Sequence, residues 1–150
     1  MNETHDGFLL RNKTLKVETL IELHVPDFDK TREFYEKLGF EVVRDKTFND
    51  NYLVMQFGEN ILCFWGGDEE TGKHGYFKSF PKGTKRGYGL EIVLMVEDID
   101  DYYLSVKDFA EVVGELKMRP WGVKDFRIID PWGFYLRFSE PHNVIESSIQ

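Results

Sequence analysis

The stretch LHVPDFD at Leu23–Asp29 returns as LMVEDID at Leu94–Asp100, and this repeat decides the predicted fold. The two stretches share Leu, Val, Asp and Asp at a constant offset of 71 residues (94 − 23). In each copy an apolar, strand-like run is followed by acidic residues that can cap a helix. Repetition of a supersecondary unit predicts two modules of the same topology.

The segments around each copy carry the same order of predicted elements, βαβββ. In the first module a helix with Phe34, Tyr35 and Leu38 at helical spacing ends at Gly39. Its predicted strands are Thr19–Val25, Phe40–Arg44, Asn51–Phe57 and Ile61–Trp65. In the second module a helix runs from Ile99 to Phe109. The strands there are Glu91–Val96, Val112–Leu116, Asp125–Ile129 and Phe134–Phe138.

The tripeptide Pro-Trp-Gly occurs twice, at Pro120–Gly122 and at Pro131–Gly133. Asp130 precedes the second copy, so Asp, Pro and Gly occupy the first, second and fourth corners of a type I turn. This copy therefore predicts a β-hairpin. The first copy marks the entrance to the preceding strand and places Trp121 at one rim of the site that the sheet encloses.

The repeat predicts an α+β fold in which paired βαβββ modules form curled mixed sheets around a cleft, with the helices outside. The length of 150 residues suits one domain overall. The predicted parts are an N-terminal extension at 1–16, the first module at 17–66, a linker or flap at 67–89, the second module at 90–141 and a C-terminal tail at 142–150.

Composition narrows the classes of partner. A formal net charge of −8 argues against nucleic acid, because phosphate contacts need a basic footprint. We find no apolar run long enough to span a membrane and no apolar core of a signal peptide. The single cysteine, Cys63, fits a reducing compartment, so we expect a cytoplasmic protein. Aromatic residues make up 15 % of the chain, enough to leave rings for a ligand site.

The paired pattern resembles the vicinal oxygen chelate superfamily, which contains glyoxalase I, extradiol dioxygenases and the fosfomycin- and bleomycin-resistance proteins. The resemblance is strongest for the bleomycin-resistance branch and covers about residues 17–141. The segments that carry it are HVPDFDKTREFYEKLGFEVV (His24–Val43), GENILCFW (Gly58–Trp65) and RPWGVKDFRIIDPWGFYLRFSEP (Arg119–Pro141).

The resemblance implies four metal-ligand positions, which fall here on Leu20, Cys63, Glu91 and Arg137. Leucine has no lone pair, arginine is a permanent cation and cysteine is a soft ligand where enzymatic members use oxygen and nitrogen. We therefore expect no metal, no cofactor and no catalytic residue. An unorthodox metal site of Glu22, His24 and Glu91 stays open as an alternative.

Strand alternation places the polar side chains of the strands on one face of each sheet. The opposite face, which includes Ile21 and Leu23, is apolar and is predicted to pack on the helices. The predicted ligand-binding residues are Glu22, His24, Tyr52, Cys63, Trp65, Glu91, Trp121, Arg127 and Arg137. Four structural alternatives remain. They are His24 as a hydrogen-bonded residue at the edge of the cleft, which we favour for that residue, Trp65 as ordinary core, Trp121 as a plug at a strand start, and Glu22 as a partner of Arg127 or Arg137.

These residues favour a metal-free protein that sequesters a planar or cationic aromatic compound, as an antibiotic-resistance protein does. A metal-dependent lyase, isomerase or dioxygenase with a non-standard site is one alternative, and a ligand-free structural or regulatory dimer is another. Since related proteins close their cleft against a second subunit, we expect a homodimer. Glu91 and Arg137, at two former metal positions, are predicted to form an ion pair.

Overall fold

The computed structural model describes residues 19–66, 71 and 73–146. The chain divides into two compact units, Met1–Lys78 and Ser79–Gln150. The boundary falls inside the predicted linker at 67–89. The predicted N-terminal extension at 1–16 lies outside the described residues, as do linker residues 67–70 and 72 and tail residues 147–150.

The first module is a helix and a four-stranded mixed sheet. Its elements are β1 (Glu22–Val25), α1 (Phe28–Lys37), β2 (Glu41–Lys46), β3 (Tyr52–Phe57) and β4 (Asn60–Gly66), followed by a short 3-10 turn at Phe77–Ser79. The strand order is β1-β4-β3-β2. β1 is parallel to β4, and the other neighbours are antiparallel.

The second module repeats this topology. Its elements are β5 (Glu91–Met95), α2 (Ile99–Val106), β6 (Glu111–Met118), β7 (Lys124–Ile129) and β8 (Tyr135–Ser139). The strand order is β5-β8-β7-β6, again with the first strand parallel to the last and the rest antiparallel. The βαβββ repeat predicted from the sequence is confirmed in both modules.

Helices α1 and α2 differ in how they begin. The Asp27 side chain caps α1 by accepting a hydrogen bond of 2.9 Å from the Lys30 amide, and Gly39 follows the helix with a φ of 103°. Asp98 occupies the equivalent position before α2 but makes no side-chain cap hydrogen bond. The repeated aspartate thus keeps its position in both modules and caps only the first helix.

Both Pro-Trp-Gly copies form the same hairpin turn. The Gly133 amide donates to the Asp130 carbonyl at 3.1 Å, and the Gly122 amide donates to the Arg119 carbonyl at 3.0 Å. Gly133 and Gly122 have positive φ angles, 101° and 89°. Residues with a side chain rarely adopt such angles, so glycine is favoured at both positions. The prediction for the second copy is confirmed. The first copy is more than a strand entrance, because it closes the β6–β7 hairpin.

The apolar faces of the sheets pack on the helices as predicted, with one exception. In the first module Leu23 and Phe64 are buried, and the Tyr35 and Phe64 rings lie 4.8 Å apart. In the second, the Phe138 ring lies 5.0 Å from the ring of Tyr102 on α2. The exception is Ile21, which is 36 % exposed and precedes β1.

The prediction that the first strand begins at Thr19 was therefore wrong. Leu20 and Ile21 are both exposed, so they contribute little burial energy to hold them in the sheet. The Ile21 carbonyl still accepts a hydrogen bond from the Cys63 amide at 2.9 Å, which marks the point where β1 begins to pair with β4.

Candidate functional site

The polar face of the first module carries a group of aromatic side chains around Trp65, here called the ring group: His24, Trp65, His74 and Phe77. His24 and Trp65 are cross-strand partners on β1 and β4, and their ring centroids lie 5.0 Å apart in an edge-to-face arrangement. His74 stacks on Phe77 at 4.4 Å, and Phe77 meets the edge of His24 at 5.0 Å. The segment that follows β4 thus supplies two of the four rings.

His74 also fixes the turn that carries Phe77. Its Nδ1 accepts hydrogen bonds from the Tyr76 amide at 3.1 Å and the Phe77 amide at 3.3 Å. The imidazole therefore holds Phe77 against His24 by a local turn. Phe77 remains 37 % exposed, so the ring group keeps an accessible aromatic surface.

A second set of contacts lies beside the ring group, on Tyr52 and its neighbours. The Tyr52 hydroxyl donates a hydrogen bond of 2.6 Å to Glu22 Oε1. Burial and the nearby Cys63 and Glu22 raise the pKa of Tyr52 above its ordinary value, so it stays a neutral donor. Within the first module, Tyr52 is thus the hydrogen-bond partner of Glu22.

Cys63 is a poor nucleophile and a poor metal ligand in this environment. It is buried, with 2 % of its surface exposed. Burial raises the pKa of the Cys63 thiol, reinforced by the negative charge of Glu22 and only partly opposed by the nearby Tyr52 hydroxyl. Because the thiolate is the reactive form, a raised pKa disfavours both roles.

The polar face of the second module carries a cluster of charges, here called the arginine cluster: Arg119, Arg127 and Arg137 with Glu91 and Asp125. Asp125 is completely buried, whereas each arginine side chain is 14–17 % exposed. Arg119 Nε donates to Asp125 Oδ1, and Arg127 Nη1 donates to the same oxygen at 2.9 Å. Arg137 Nη1 lies 3.9 Å from Asp125 Oδ2.

Strand register explains why this cluster needs its carboxylates. Arg127 and Arg137 are directly opposite each other on β7 and β8, and like charges at such positions repel. Glu91 Oε1 lies 3.4 Å from Arg127 Nε and 3.5 Å from Arg137 Nε, and its negative charge offsets part of this repulsion. The predicted ion pair between Glu91 and Arg137 is confirmed, with Arg127 as a further partner.

Trp121 borders the arginine cluster. The Arg137 guanidinium carbon lies 6.0 Å from the centroid of the Trp121 ring, within the range of a cation–π contact. The ring is presented by the β6–β7 hairpin turn, which is closed by the Gly122 amide and by a hydrogen bond of 2.9 Å from the Arg119 amide to the Val123 carbonyl. Trp121 is partly exposed in this position.

A depression of about 360 Å³ opens in the second module and shares Glu91 with the arginine cluster. Glu91 is the predicted site residue that lines it, beside Tyr88, Leu90 and Tyr135. Tyr88 is 90 % exposed, so the depression is shallow on that side. Neither Trp65 nor Trp121 is among the lining residues, and the depression therefore does not correspond to the predicted aromatic site.

The residues at the inherited metal positions do not fit a metal ion. Leu20 is 58 % exposed and has no donor atom, and the raised pKa of Cys63 keeps that thiol protonated. A divalent cation at Glu91 would face the guanidinium groups of Arg127 and Arg137. In the described part of the chain, no group of three or more His, Cys, Asp or Glu side chains is arranged to hold a metal.

Sequence reasoning missed four contributors to these two groups. His74 and Phe77 lie in the predicted linker, where no strand pattern signals a contact with His24. Asp125 and Arg119 were not predicted as site residues. The available signal was the alternation of Asp125 and Arg127 with the apolar Phe126 and Ile128, since a buried carboxylate needs cationic partners.

The chain belongs to the glyoxalase/bleomycin resistance protein/dioxygenase superfamily, whose family model matches residues 19–138. This confirms the resemblance stated from the sequence. A search of curated protein sequences finds no match. Within residues 19–66, 71 and 73–146, no helix is long and apolar enough to cross a membrane.

Solved structures share the fold at low sequence identity. Hypothetical protein SA1046 from S. aureus is 21 % identical with a TM-score of 0.68, covering 88 % of this chain and 99 % of that one. A bleomycin-binding protein complexed with bleomycin is 22 % identical with a TM-score of 0.57, covering 83 % and 98 %. A bleomycin resistance determinant encoded on the transposon Tn5 is 22 % identical with a TM-score of 0.59, covering 84 % and 98 %.

Proposed function

We propose that this protein binds a planar or cationic aromatic small molecule without a metal ion, and that it acts by sequestering that compound. The observation that carries the proposal is the chemistry at the inherited metal positions: Glu91 sits between the guanidinium groups of Arg127 and Arg137. The arginines neutralise the carboxylate of Glu91, to which a metal ion would otherwise bind. Two structures of similar fold are described as a bleomycin-binding protein and a bleomycin resistance determinant, which supports a ligand of this class.

The first module offers what a flat cation needs. The ring group presents aromatic surface at Trp65 and Phe77, and the Glu22 carboxylate lies on the same strand as His24. Glu22 is exposed, and of its carboxylate oxygens Oε1 accepts the hydrogen bond from Tyr52. A ring with a positive charge gains from both the aromatic faces and the carboxylate.

A ligand-free structural role is the second candidate, favoured by one observation. His24, His74 and Phe77 already contact one another beside Trp65. Part of the surface of each ring is therefore covered by the other rings and is not free for a ligand. If the ring group is only a packing device, the protein has no aromatic ligand there. Binding measurements separate the two candidates.

The proposal includes a homodimer in the cytoplasm. The dimer is proposed because related proteins complete their site with a second subunit, and sedimentation equilibrium tests it. A monomer at 100 µM or so would contradict this part of the proposal, since stable homodimers associate at far lower concentrations. The cytoplasmic location rests on the single buried thiol of Cys63.

A thermal-shift screen with bleomycin and with acridine cations tests the function, in buffer with a chelator. Ligands that bind only the folded state raise the unfolding temperature. We expect a shift with at least one of these compounds in the presence of the chelator. Stabilisation that requires a divalent metal would favour the enzyme alternative, and no stabilisation by any compound would favour the structural one.

Tryptophan variants locate the ligand. Replacing Trp65 or Trp121 with Ala is expected to weaken binding by roughly 1–3 kcal/mol, the usual scale for desolvated aromatic and cation–π contacts. Trp132→Ala is the matched control, because Trp132 lies in the hairpin turn at the opposite end of β7 from Trp121. Equal affinity in all three variants would show that none of these rings contacts the ligand.

A further inference from the structure

We infer that the arginine cluster of the second module binds the carboxylate of a planar aromatic acid, with Arg137 as the anion-binding residue and Trp121 as the surface on which the ring stacks. This inference deepens the proposed function and rests on it for the claim that the ligand is a small aromatic molecule. It adds the charge of the group that the second module binds. A carboxylate is opposite in sign to the cation proposed for the first module.

The first argument is the charge of the cluster. Three guanidinium groups, on Arg119, Arg127 and Arg137, face two carboxylates, on Glu91 and Asp125, which leaves one net positive charge. The arginine side chains are 14–17 % exposed, so water screens this charge only in part. An uncompensated charge that is mostly withdrawn from water is unfavourable, and a bound anion removes that cost.

The second argument is that Arg137 is bonded differently from its neighbours. Arg119 and Arg127 each donate a hydrogen bond to Asp125. Arg137 makes no hydrogen bond to any residue among those described: its ion pairs with Glu91 and Asp125 are 3.5 Å and 3.9 Å long. Its Nε is buried and forms no hydrogen bond among the described residues.

A guanidinium group carries five donors in a planar fork that matches a carboxylate. In Arg137, Nε lies 3.5 Å from Glu91 Oε1 without forming a hydrogen bond. Nη1 lies 3.9 Å from Asp125 Oδ2, which likewise has no hydrogen-bond partner among the described residues. If Asp125 takes one Nη1 donor, at least three donors on the two terminal nitrogens remain for a ligand. A carboxylate can accept two of them side by side, a geometry that favours it over a single-point anion.

The third argument is the position of Trp121. Its ring centroid is 6.0 Å from the guanidinium carbon of Arg137, and the Gly122 turn holds it on the β6–β7 hairpin. A flat ring that carries a carboxylate can stack on the indole while its acid group meets the arginine. An inorganic anion would use Arg137 alone, so the indole selects for an aromatic acid.

A purely structural cluster makes a different prediction. It would hold β5, β7 and β8 together and would gain nothing from an added anion, because all of its useful contacts would be internal. The unused donors of Arg137 and the net positive charge are the features that this alternative leaves without a role.

The test compares two probes of the same shape, 2-naphthoate and its neutral amide 2-naphthamide, by isothermal titration calorimetry with the full chain in chelator at low salt. We expect the acid to bind at least about tenfold more tightly than the amide, the scale of one hydrogen bond to a charged group. Arg137→Met is expected to abolish this preference, and Arg137→Lys to retain part of it. Arg44→Met, which removes an exposed arginine on β2, should leave the preference unchanged.

Thermal unfolding of each variant shows whether it is folded. If Arg137→Met does not fold, the double variant Arg137→Met with Glu91→Gln, which removes both charges of the pair, takes its place. Equal binding of acid and amide, or a preference that survives the loss of Arg137, would overturn the inference. If acridine cations bind while 2-naphthoate does not, this inference fails and the proposed function stands. If no aromatic compound binds, both fail.

Discussion

Replacing Asp125 with Asn is expected to be one of the most destabilising single changes in the second module. Asp125 is fully buried and accepts hydrogen bonds from Arg119 and Arg127, with Arg137 as a third cationic neighbour. Asn has the same shape but no charge, so three guanidinium groups would face Glu91 alone. Two hydrogen bonds to a charged group contribute about 1.5–3 kcal/mol each. Removing one partner of a buried ion pair costs about 3–5 kcal/mol.

Because the arginines keep some contact with water, we expect a loss near the lower end of that range, about 3 kcal/mol in the free energy of unfolding. Urea denaturation followed by circular dichroism measures this loss. Urea is uncharged and, unlike the denaturant guanidinium chloride, does not screen the charges of the cluster. Glu91→Gln is the matched control: the Glu91 side chain is 35 % exposed and its contacts are 3.4 Å and 3.5 Å long. That variant should lose about 1 kcal/mol or less. A loss in Asp125→Asn no larger than in Glu91→Gln would refute the reasoning.

Two further predictions concern the first module. Gly66→Ala would place a Cβ 2.6 Å from the Phe28 ring, and we expect this overpacking to lower the free energy of unfolding by about 1–3 kcal/mol. Gly75→Ala is the control: a Cβ there has no neighbouring atom within 4 Å, so the free energy of unfolding should change by less than about 0.5 kcal/mol. Equal effects of the two substitutions would contradict this prediction. Burial raises the pKa of the Cys63 thiol, so less of it is present as the reactive thiolate than in free cysteine. Alkylation of Cys63 in the native protein at pH 8 should therefore be at least about tenfold slower than alkylation of free cysteine. Labelling as fast in the native protein as in urea would show that the thiol is accessible.

The topology could be predicted from the sequence because the same order of elements is indicated twice, once by each copy of the repeat. The matched Leu, Val and Asp positions of Leu23–Asp29 and Leu94–Asp100 fix where strand ends and helix begins in both modules. Strand alternation then separates the apolar faces, buried at Leu23 and Phe138, from the polar ones. The pairing of Glu91 with Arg137 was predicted from the metal-ligand positions that the family resemblance implies. It is consistent with the structure, in which β5 and β8 are parallel neighbours.

The remaining features depend on contacts that alternation does not encode. The tertiary partner of Glu22, the Tyr52 hydroxyl, comes from a strand whose pairing register cannot be read from composition. His74 reaches His24 from an irregular segment, where side-chain direction has no period. The start of β1 was misplaced because β-propensity at Leu20 is not supported by burial.

The central claim, binding without metal, is tested most directly by one titration. The purified protein, dialysed against chelator and shown by elemental analysis to be metal-free, is titrated calorimetrically with the best compound from the thermal-shift screen. The same titration is repeated after one equivalent each of Mn²⁺, Ni²⁺ or Zn²⁺ is added. We predict equal affinity in every case and no heat of metal binding at the position of Glu91, where two arginines already neutralise the carboxylate. Ligand binding that appears only after a divalent metal has bound stoichiometrically would contradict the claim.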